Sequence, residues 1–481
     1  MALTRRSVLK GSAISAGLVA FSGIAQAPAA MAAPGKIASG TGTVNAFGDL
    51  ITDPNGLLDL PRGFSYKVVS KVGDIMPGDG RRLPDRFDGA AVFAGADKSL
   101  VMVRNHEQYD APTTAGIAAQ DSADPEFVYD AGARLVNGTS IYAANGGTST
   151  VTLDKQGATV DEYVSLAGTY SNCAGGATPW HTWLSCEETE SPKIGQNGAT
   201  KAHGYVFEVD PFDKDNNKNP FPLKALGRFP HEAAVVDPRT LEVYLTEDAS
   251  GPFGLFYKAI LVSPKAQYGG LRGDGDLYAM NCFLNGTQQP TLHPFSKVGT
   301  VLDVEWVKIP DPDATTTSTR KQLANDQVTR SQKIEGAWFG NGKAHFVVSF
   351  ADGFHEGQVW AYDPMTSTLE LEVYYPTVVA GGGAEDSVPD RPDGITGSPF
   401  GGLIISEDSN GGQNVLAVAE DGSTSLLARN RRDIIKPTAE GISEITGVTF
   451  SPDGKTLFFA FQEPGITFAV SGPFAQIKHY K

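Results

Sequence analysis

The sequence predicts an all-β chain built as a six-bladed β-propeller with inserted loops. Three observations carry that expectation. Glycine and proline are abundant (55 and 30 residues) while only 20% of residues are charged, a composition that favours short strands and tight turns over helical bundles. Apolar strand–turn–strand runs recur along the chain, and they begin and end on polar, mostly acidic residues. The residues between the strands suit tight hairpins, most plainly Pro452-Asp453-Gly454.

In chain order, the first segment is a targeting sequence. Thr4-Arg5-Arg6-Ser7-Val8-Leu9-Lys10 and the mild apolar stretch at 11–27 read as a twin-arginine signal, with cleavage expected after Ala30-Met31-Ala32. The apolar run is short and rich in Gly, Ala and Ser, so no stable membrane anchor is expected. Residues 1–32 are therefore set aside, and 33–481 are taken as a single propeller domain. Such a signal implies the twin-arginine export machinery as a partner and a periplasmic or secreted destination.

The hairpins follow. Residues 88–107 read DGAAVFAGADKSLVMVRNHE; 173–188 read CAGGATPWHTWLSCEE; 232–248 read EAAVVDPRTLEVYLTED. Residues 335–352 read EGAWFGNGKAHFVVSFAD and 393–408 read DGITGSPFGGLIISED. The last, GVTFSPDGKTLFFAFQ at 447–462, is preceded by Glu444 and followed by Glu463. Successive copies start about fifty to about a hundred residues apart, so loops decorate some blades; 109–150 and 262–330 are the main insertions. Stretches such as YVFEVDPFD and QVWAYDPMTSTLELEV are expected as outer strands. Nothing separates a second domain.

The start of a hairpin's first strand lies beside the end of its second. Both polar ends of each copy therefore face the same way, and a propeller brings them to one end of a central channel. That gathers Glu107, Glu188, Glu232, Glu335, Asp393 and Glu407. Taken singly, each is a solvated loop carboxylate; crowded together they repel, and cations are needed to keep them ionised. Many oxygen ligands suit calcium, and a thiolate at an equivalent position, Cys173, suits iron. The alternative for that cysteine is a disulfide with Cys186, which would remove the thiolate. Three cysteines, with Cys282 the third, make no disulfide framework. His106 and His231 precede two of the acids, either as packed side chains or as groups orienting a ligand carboxylate. Trp180 either borders the site or is a buried aromatic. The formal net charge of -16 argues against nucleic acid as a partner. No serine-nucleophile elbow or His-Glu-x-x-His helix occurs.

Several motifs carry a family resemblance: VRNHE (103–107), NCAGGATPWHTWLSCEE (172–188), GRFPHEAAVVDPRTLEVYLTED (227–248), EGAWF (335–339), GQVWAYDP (357–364), DRPDG (390–394), LIISED (403–408) and GVTFSPDGKTLFFAFQEPGITFAVSGP (447–473). On these the chain resembles the PhoX family of secreted alkaline phosphatases, and its shorter branch in particular. The resemblance implies a six-bladed propeller with an iron and calcium cluster that hydrolyses small phosphate esters. The family's metal-bridging cysteine matches Cys173, and its cluster acids match Glu107, Glu188, Glu232 and Asp393. Glu335 and Glu407 are further candidates on the calcium side. The arginine of the family's Arg-Pro-Glu motif, which touches phosphate, matches Arg391; here the acid that follows is Asp393, one methylene shorter. A calcium-dependent propeller hydrolase of lactonase or phytase type is the alternative enzyme, and a non-catalytic calcium-binding propeller the alternative without chemistry. A monomer is expected.

Overall fold

The computed structural model of the chain describes residues 21–22 and 46–479, apart from 109–116, 133–143, 192–193, 197, 350–354, 379–387, 410–411 and 433–442. Apart from Phe21 and Ser22, the signal segment lies outside the described residues, as does Asp352. The described residues fold into antiparallel strands joined by turns and short 3-10 helices. None of their helices is long and apolar enough to cross a membrane.

Each hairpin read from the sequence forms and continues into a meander. The first is Phe87–Ala94, Leu100–His106, Gly146–Leu153 and Thr159–Thr169; the second is Asn172–Ala177, Trp183–Glu187 and Val206–Val209. The third is His231–Val236, Val243–Glu247, Gly254–Leu261 and Gly275–Leu284. The fourth is Ile334–Gly340, Lys343–Ser349, His355–Asp363 and Thr368–Val378. The fifth is Pro392–Gly397, Leu403–Glu407, Asn414–Val418 and Thr424–Asn430; the sixth is Ile445–Phe450, Thr456–Phe461 and Ile466–Ser471. The first strands of the meanders lie side by side in chain order, and the last returns to the first, so the inner strands close a ring.

The arrangement is propeller-like, but six separate blades are not seen as six separate sheets. The described strands make five hydrogen-bonded sheets. The strand Val301–Lys308 pairs with Gly275–Leu284 on one side and with Thr368–Val378 on the other. It thereby joins the third and fourth meanders into one eleven-stranded sheet. The stretch 262–330, expected as an insertion, thus supplies strands to the fold. Closure comes from the other end of the chain. Ser65–Lys71 is the outer strand added to the sixth meander, and Leu58–Pro61 pairs with Thr424–Asn430 of the fifth.

Strand alternation puts apolar side chains on both faces of the meanders, because each face meets a neighbour. Leu184, Val206, Ala234, Leu245 and Tyr257 fill the layer between the second and third meanders. Trp338, Val347, Ile395, Ile405 and Leu416 fill that between the fourth and fifth. Ile404, Val415, Phe459 and Phe468 fill that between the fifth and sixth. Each Leu, Ile, Val or Phe among them contributes roughly 1.5–3 kcal/mol of burial, so the ring is held by side-to-side apolar layers and its axis is left to polar groups.

One irregularity recurs in every hairpin. Phe87 pairs with His106 but Ala90 with Arg104; Asn172 with Glu187 but Gly175 with Ser185; His231 with Glu247 but Ala234 with Leu245. Ile334 pairs with Val348 but Ala337 with Phe346; Pro392 with Glu407 but Ile395 with Ile405; Thr446 with Ala460 but Thr449 with Phe458. In every case the inner strand spends one residue more than its partner, which is a β-bulge at an equivalent place. Bulges bend a strand and re-aim a side chain. Here they fall on Asp88, Cys173, Glu232, Glu335, Asp393 and Gly447.

Candidate metal centre

The bulges aim acids and a thiol at one end of the ring. Asp88, Cys173, Glu232 and Glu335 are fully buried, and Asp393 nearly so. The small residue after each, such as Gly89 or Ala174, lets neighbouring inner strands close up. A Cβ on Gly89 would lie 2.8 Å from the Cys173 carbonyl oxygen and 2.9 Å from Ala174 Cα. Asn105 fastens the cysteine segment: its Nδ2 donates to the carbonyls of Cys173 (3.1 Å) and Ala174 (2.7 Å). Its Oδ1 in turn accepts from Trp183 Nε1 and Ser185 Oγ, both at 2.9 Å.

The returning strands supply the second set of ligand candidates. Three of them end on paired acids, and alternation sends the two members in different directions. Glu187 turns back into its own meander, where Oε1 accepts from the Tyr170 amide (2.8 Å) and Oε2 from the Gly204 amide (2.7 Å). Glu247 does the same with the amide of Leu255 (3.2 Å) and the hydroxyl of Tyr257 (2.7 Å). Glu407 likewise accepts from the Asp390 amide (3.0 Å) and Asn414 Nδ2 (2.7 Å). The partners Glu188, Asp248 and Asp408 face the ring's end instead. Glu407 is therefore used to tie strands together, and Asp408 takes the place expected for it.

Potential ligand atoms come within 4.8 Å of one another in three groups: Glu107 with Cys173 and Glu188; Glu188 with Glu232 and Asp248; Asp393 with Asp408 and Glu444. Glu188 links the first two groups. Glu335 belongs to none of them among the described residues; its Oε1 lies 3.0 Å from Lys333 Nζ. Asp88 joins through Gln462, whose Nε2 donates to Asp88 Oδ2 (3.0 Å) and Glu107 Oε2 (2.6 Å).

Burial, and then the mutual repulsion of these acids, pushes Asp88, Glu188, Glu232, Asp393 and Glu444 well above the ordinary carboxylate range. Asp408 is raised less, to about 6; burial raises it, while Lys333 and Arg391 pull it down. The Cys173 thiol is pushed up by burial and by Glu232, to which its Sγ donates at 3.2 Å. Both Oδ atoms of Asp393, Oε1 of Glu232 and Oδ1 of Asp408 are buried without a hydrogen-bond partner. Orphaned buried carboxylate oxygens cost free energy unless a cation meets them. Oxygen donors in number, with a thiol among them, fit hard cations together with a transition metal.

Arg391 stands beside this cluster, 8% exposed, and adopts a left-handed backbone (φ 37°). Arg86, Ser171 and Lys333, also two residues before a bulged position, share that rare conformation (φ 49°, 44° and 48°). Three of these turns present a carbonyl to a residue at the ring's end: Glu107 N–H to Arg86 (2.9 Å), Glu188 N–H to Ser171 (2.9 Å) and Asp408 N–H to Arg391 (3.2 Å). The Arg86 guanidinium is held by Glu463 at 2.7 Å.

The remaining sequence candidates have other duties. His106 Nδ1 donates to the carbonyl oxygen of Asp85 (2.9 Å) and its Nε2 lies 3.0 Å from Ser149 Oγ, and His231 Nε2 lies 3.1 Å from Gly227 O. Burial drives both rings down to about 3, so they are neutral packing groups. Trp180 sits by the hairpin turn at the far end from the acids, bonded to Glu208 at 2.8 Å. No disulfide joins Cys173 and Cys186, so the alternative pairing does not claim the thiol. Sequence reasoning passed over Asp88, Asp248, Asp408, Glu444 and Lys333 as site residues. The paired acids at 187–188, 247–248 and 407–408 were the signal for two of them.

The chain matches a family model described as alkaline phosphatase PhoX over residues 45–465. No curated protein matches it. Among solved structures it is similar to Pseudomonas fluorescens PhoX in complex with vanadate, a transition state analogue. The identity is 17% and the TM-score 0.61, over 89% of this chain and 97% of that one. It also aligns, at a TM-score of 0.41 and 9% identity, with a protein of unknown function from Dyadobacter fermentans, over 86% of this chain and 100% of that one. With the PQQ domain of Coprinopsis cinerea pyranose dehydrogenase the TM-score is 0.39 and the identity 11%, over 87% and 98% of the two chains.

Proposed function

The chain belongs to the alkaline phosphatase PhoX family, and we propose that it hydrolyses small phosphate esters at the acid-lined end of its ring with iron and calcium bound there. The observation that carries the reading is the convergence of Cys173 with buried carboxylate oxygens that no protein donor satisfies. Cys173, Glu107 and Glu188 would hold iron; Glu232, Asp248, Asp393, Asp408 and Glu444 would share in holding calcium. When bound, these ions supply Lewis acidity and neutralise charge on the phosphoryl group.

The chain's own residues do the rest. Arg391 offers a planar pair of donors to the non-bridging oxygens of a phosphoryl group. Its left-handed backbone and its place beside Asp408 set that fork near the acids. Burial of the acids keeps bulk water away, which strengthens each charge interaction. Glu187, Glu247 and Glu407, tied to their own meanders, keep the strand ends in register so that the neighbouring acid faces inward.

Two readings of the architecture accompany this. The eleven-stranded sheet is taken as two blades fused at their outer edges, which makes six blades in a single domain over 33–481. Residues 1–32 are taken as a twin-arginine signal, with the mature chain monomeric and periplasmic or secreted.

The test is elemental analysis of the purified protein beside Cys173→Ser and Arg391→Ala, with a phosphate-ester assay. Wild type is expected to hold iron and calcium and to lose turnover on chelation. Cys173→Ser should lose iron. Arg391→Ala should keep its metals while turnover falls on the order of a hundredfold. Calcium alone, unchanged in Cys173→Ser, would sink the iron site and favour a calcium-only hydrolase or a binding protein.

A further inference from the structure

Lys333 lies among the acids of the site with the wrong charge for a metal ligand. It is 9% exposed and sits two residues before Glu335, on the same left-handed turn that Arg86, Ser171 and Arg391 occupy in other meanders. That turn delivers its side chain to the acids. Its Nζ lies 3.0 Å from Glu335 Oε1 and 3.7 Å from Asp408 Oδ2.

Its neighbours leave room for it. The groups around Glu188 form one continuous set from Glu107 to Asp248, and Asp393, Asp408 and Glu444 form a separate one. Glu335 falls between the sets and joins neither. Lys333 spans that gap, in contact with Glu335 and with Asp408 of the second set. Asp248 of the first set acts on its charge as well. Both contacts join the amine to carboxylate oxygens, as an ammonium requires.

We infer that the Lys333 ammonium is a resident cation occupying the Glu335–Asp408 subsite, and that removing it opens a binding site there for one further divalent, oxygen-seeking ion such as calcium. The inference rests on the metal-centre reading for its setting, but the difference it predicts does not. An ammonium brings three donors and one positive charge on a fixed tether. It offsets the acids without exchanging with solvent, whereas an ion would need more oxygen ligands than Glu335 and Asp408 offer while Lys333 lies between them. The metal count of this chain is therefore lower than its number of convergent acids suggests.

The experiment compares calcium and iron per chain, after equilibration in calcium buffer, for wild type, Lys333→Met, Glu335→Gln and the double variant. Methionine keeps much of the length and removes the charge. Lys333→Met is expected to hold one calcium more than wild type, and the double variant to lose it again. Glu335→Gln alone is expected to match wild type, because the carboxylate it removes faces an ammonium and not an ion. An unchanged or lower count in folded Lys333→Met overturns the inference, as does loss of an ion in Glu335→Gln. Should Lys333→Met not fold, the Glu335→Gln count decides alone. A wild type without metal would overturn the metal-centre reading, while the difference between variant and wild type would still answer this one.

Discussion

His203 lies between two buried acids, with Nδ1 2.6 Å from Glu187 Oε1 and Nε2 3.3 Å from Asp130 Oδ2. Burial pulls its pKa down, but Glu187 and then Asp130 outweigh burial and raise it to about 9. A group raised in the folded state contributes stability that is fully present below its unfolded value, near 6.5, and is lost as pH climbs through its folded value. The window is therefore about pH 6.5 to about 9, and the amount at stake is roughly 3 kcal/mol. Denaturant midpoints of wild type should fall across that window, and those of His203→Gln should be lower at its acid end and flatter across it. Parallel pH profiles would count against the ion pair. The same scale explains the Glu407 outcome. Adjacent acids look alike in a sequence, and only the partners across the strand show that Glu407 meets Asn414 while Asp408 meets Asp393 and Lys333.

The element that makes the site is the bulged hairpin. Its turn and strands are legible locally, and the hairpins expected from Pro-Asp-Gly and alternating apolar residues all form. The bulge is not legible, because it is a mismatch between two strands and neither strand reveals it alone. Gly89 tests its role. Gly89→Val would press on Cys173 O at 2.8 Å and Ala174 Cα at 2.9 Å. Overpacking of that kind costs about 1–3 kcal/mol, and here it displaces the thiol. The expected result is a lower melting temperature together with reduced iron content. Gly157→Ala, whose added Cβ meets nothing within 4 Å, should leave metal content unchanged even if its positive φ costs some stability. Equal metal content in wild type and Gly89→Val would disconnect the bulge from the centre.

At the scale of the molecule, the ring is closed by strands from opposite ends of the chain. Ser65–Lys71 covers the edge of Ile466–Ser471, and without it that strand would present unpaired amides and carbonyls. A chain begun at residue 72 is expected to aggregate or elute as oligomers in size-exclusion chromatography. A monomer melting like wild type would show that the closing strand is dispensable. Closure also explains how Asp88 and Gln462 meet across 374 positions of sequence, and why an acid set drawn from every part of the chain converges.

The amino-acid sequence by itself determined the all-β class, the positions of the hairpins and most of the acids at their ends. Those features depend on turn chemistry and alternation within a few neighbouring residues. Only the tertiary structure decided which acid of each pair faces inward, how the third and fourth meanders share one sheet, and that Lys333 stands among the carboxylates. Each of these is set by contacts between segments far apart in the chain, where desolvation and charge are shared by groups that no local pattern connects.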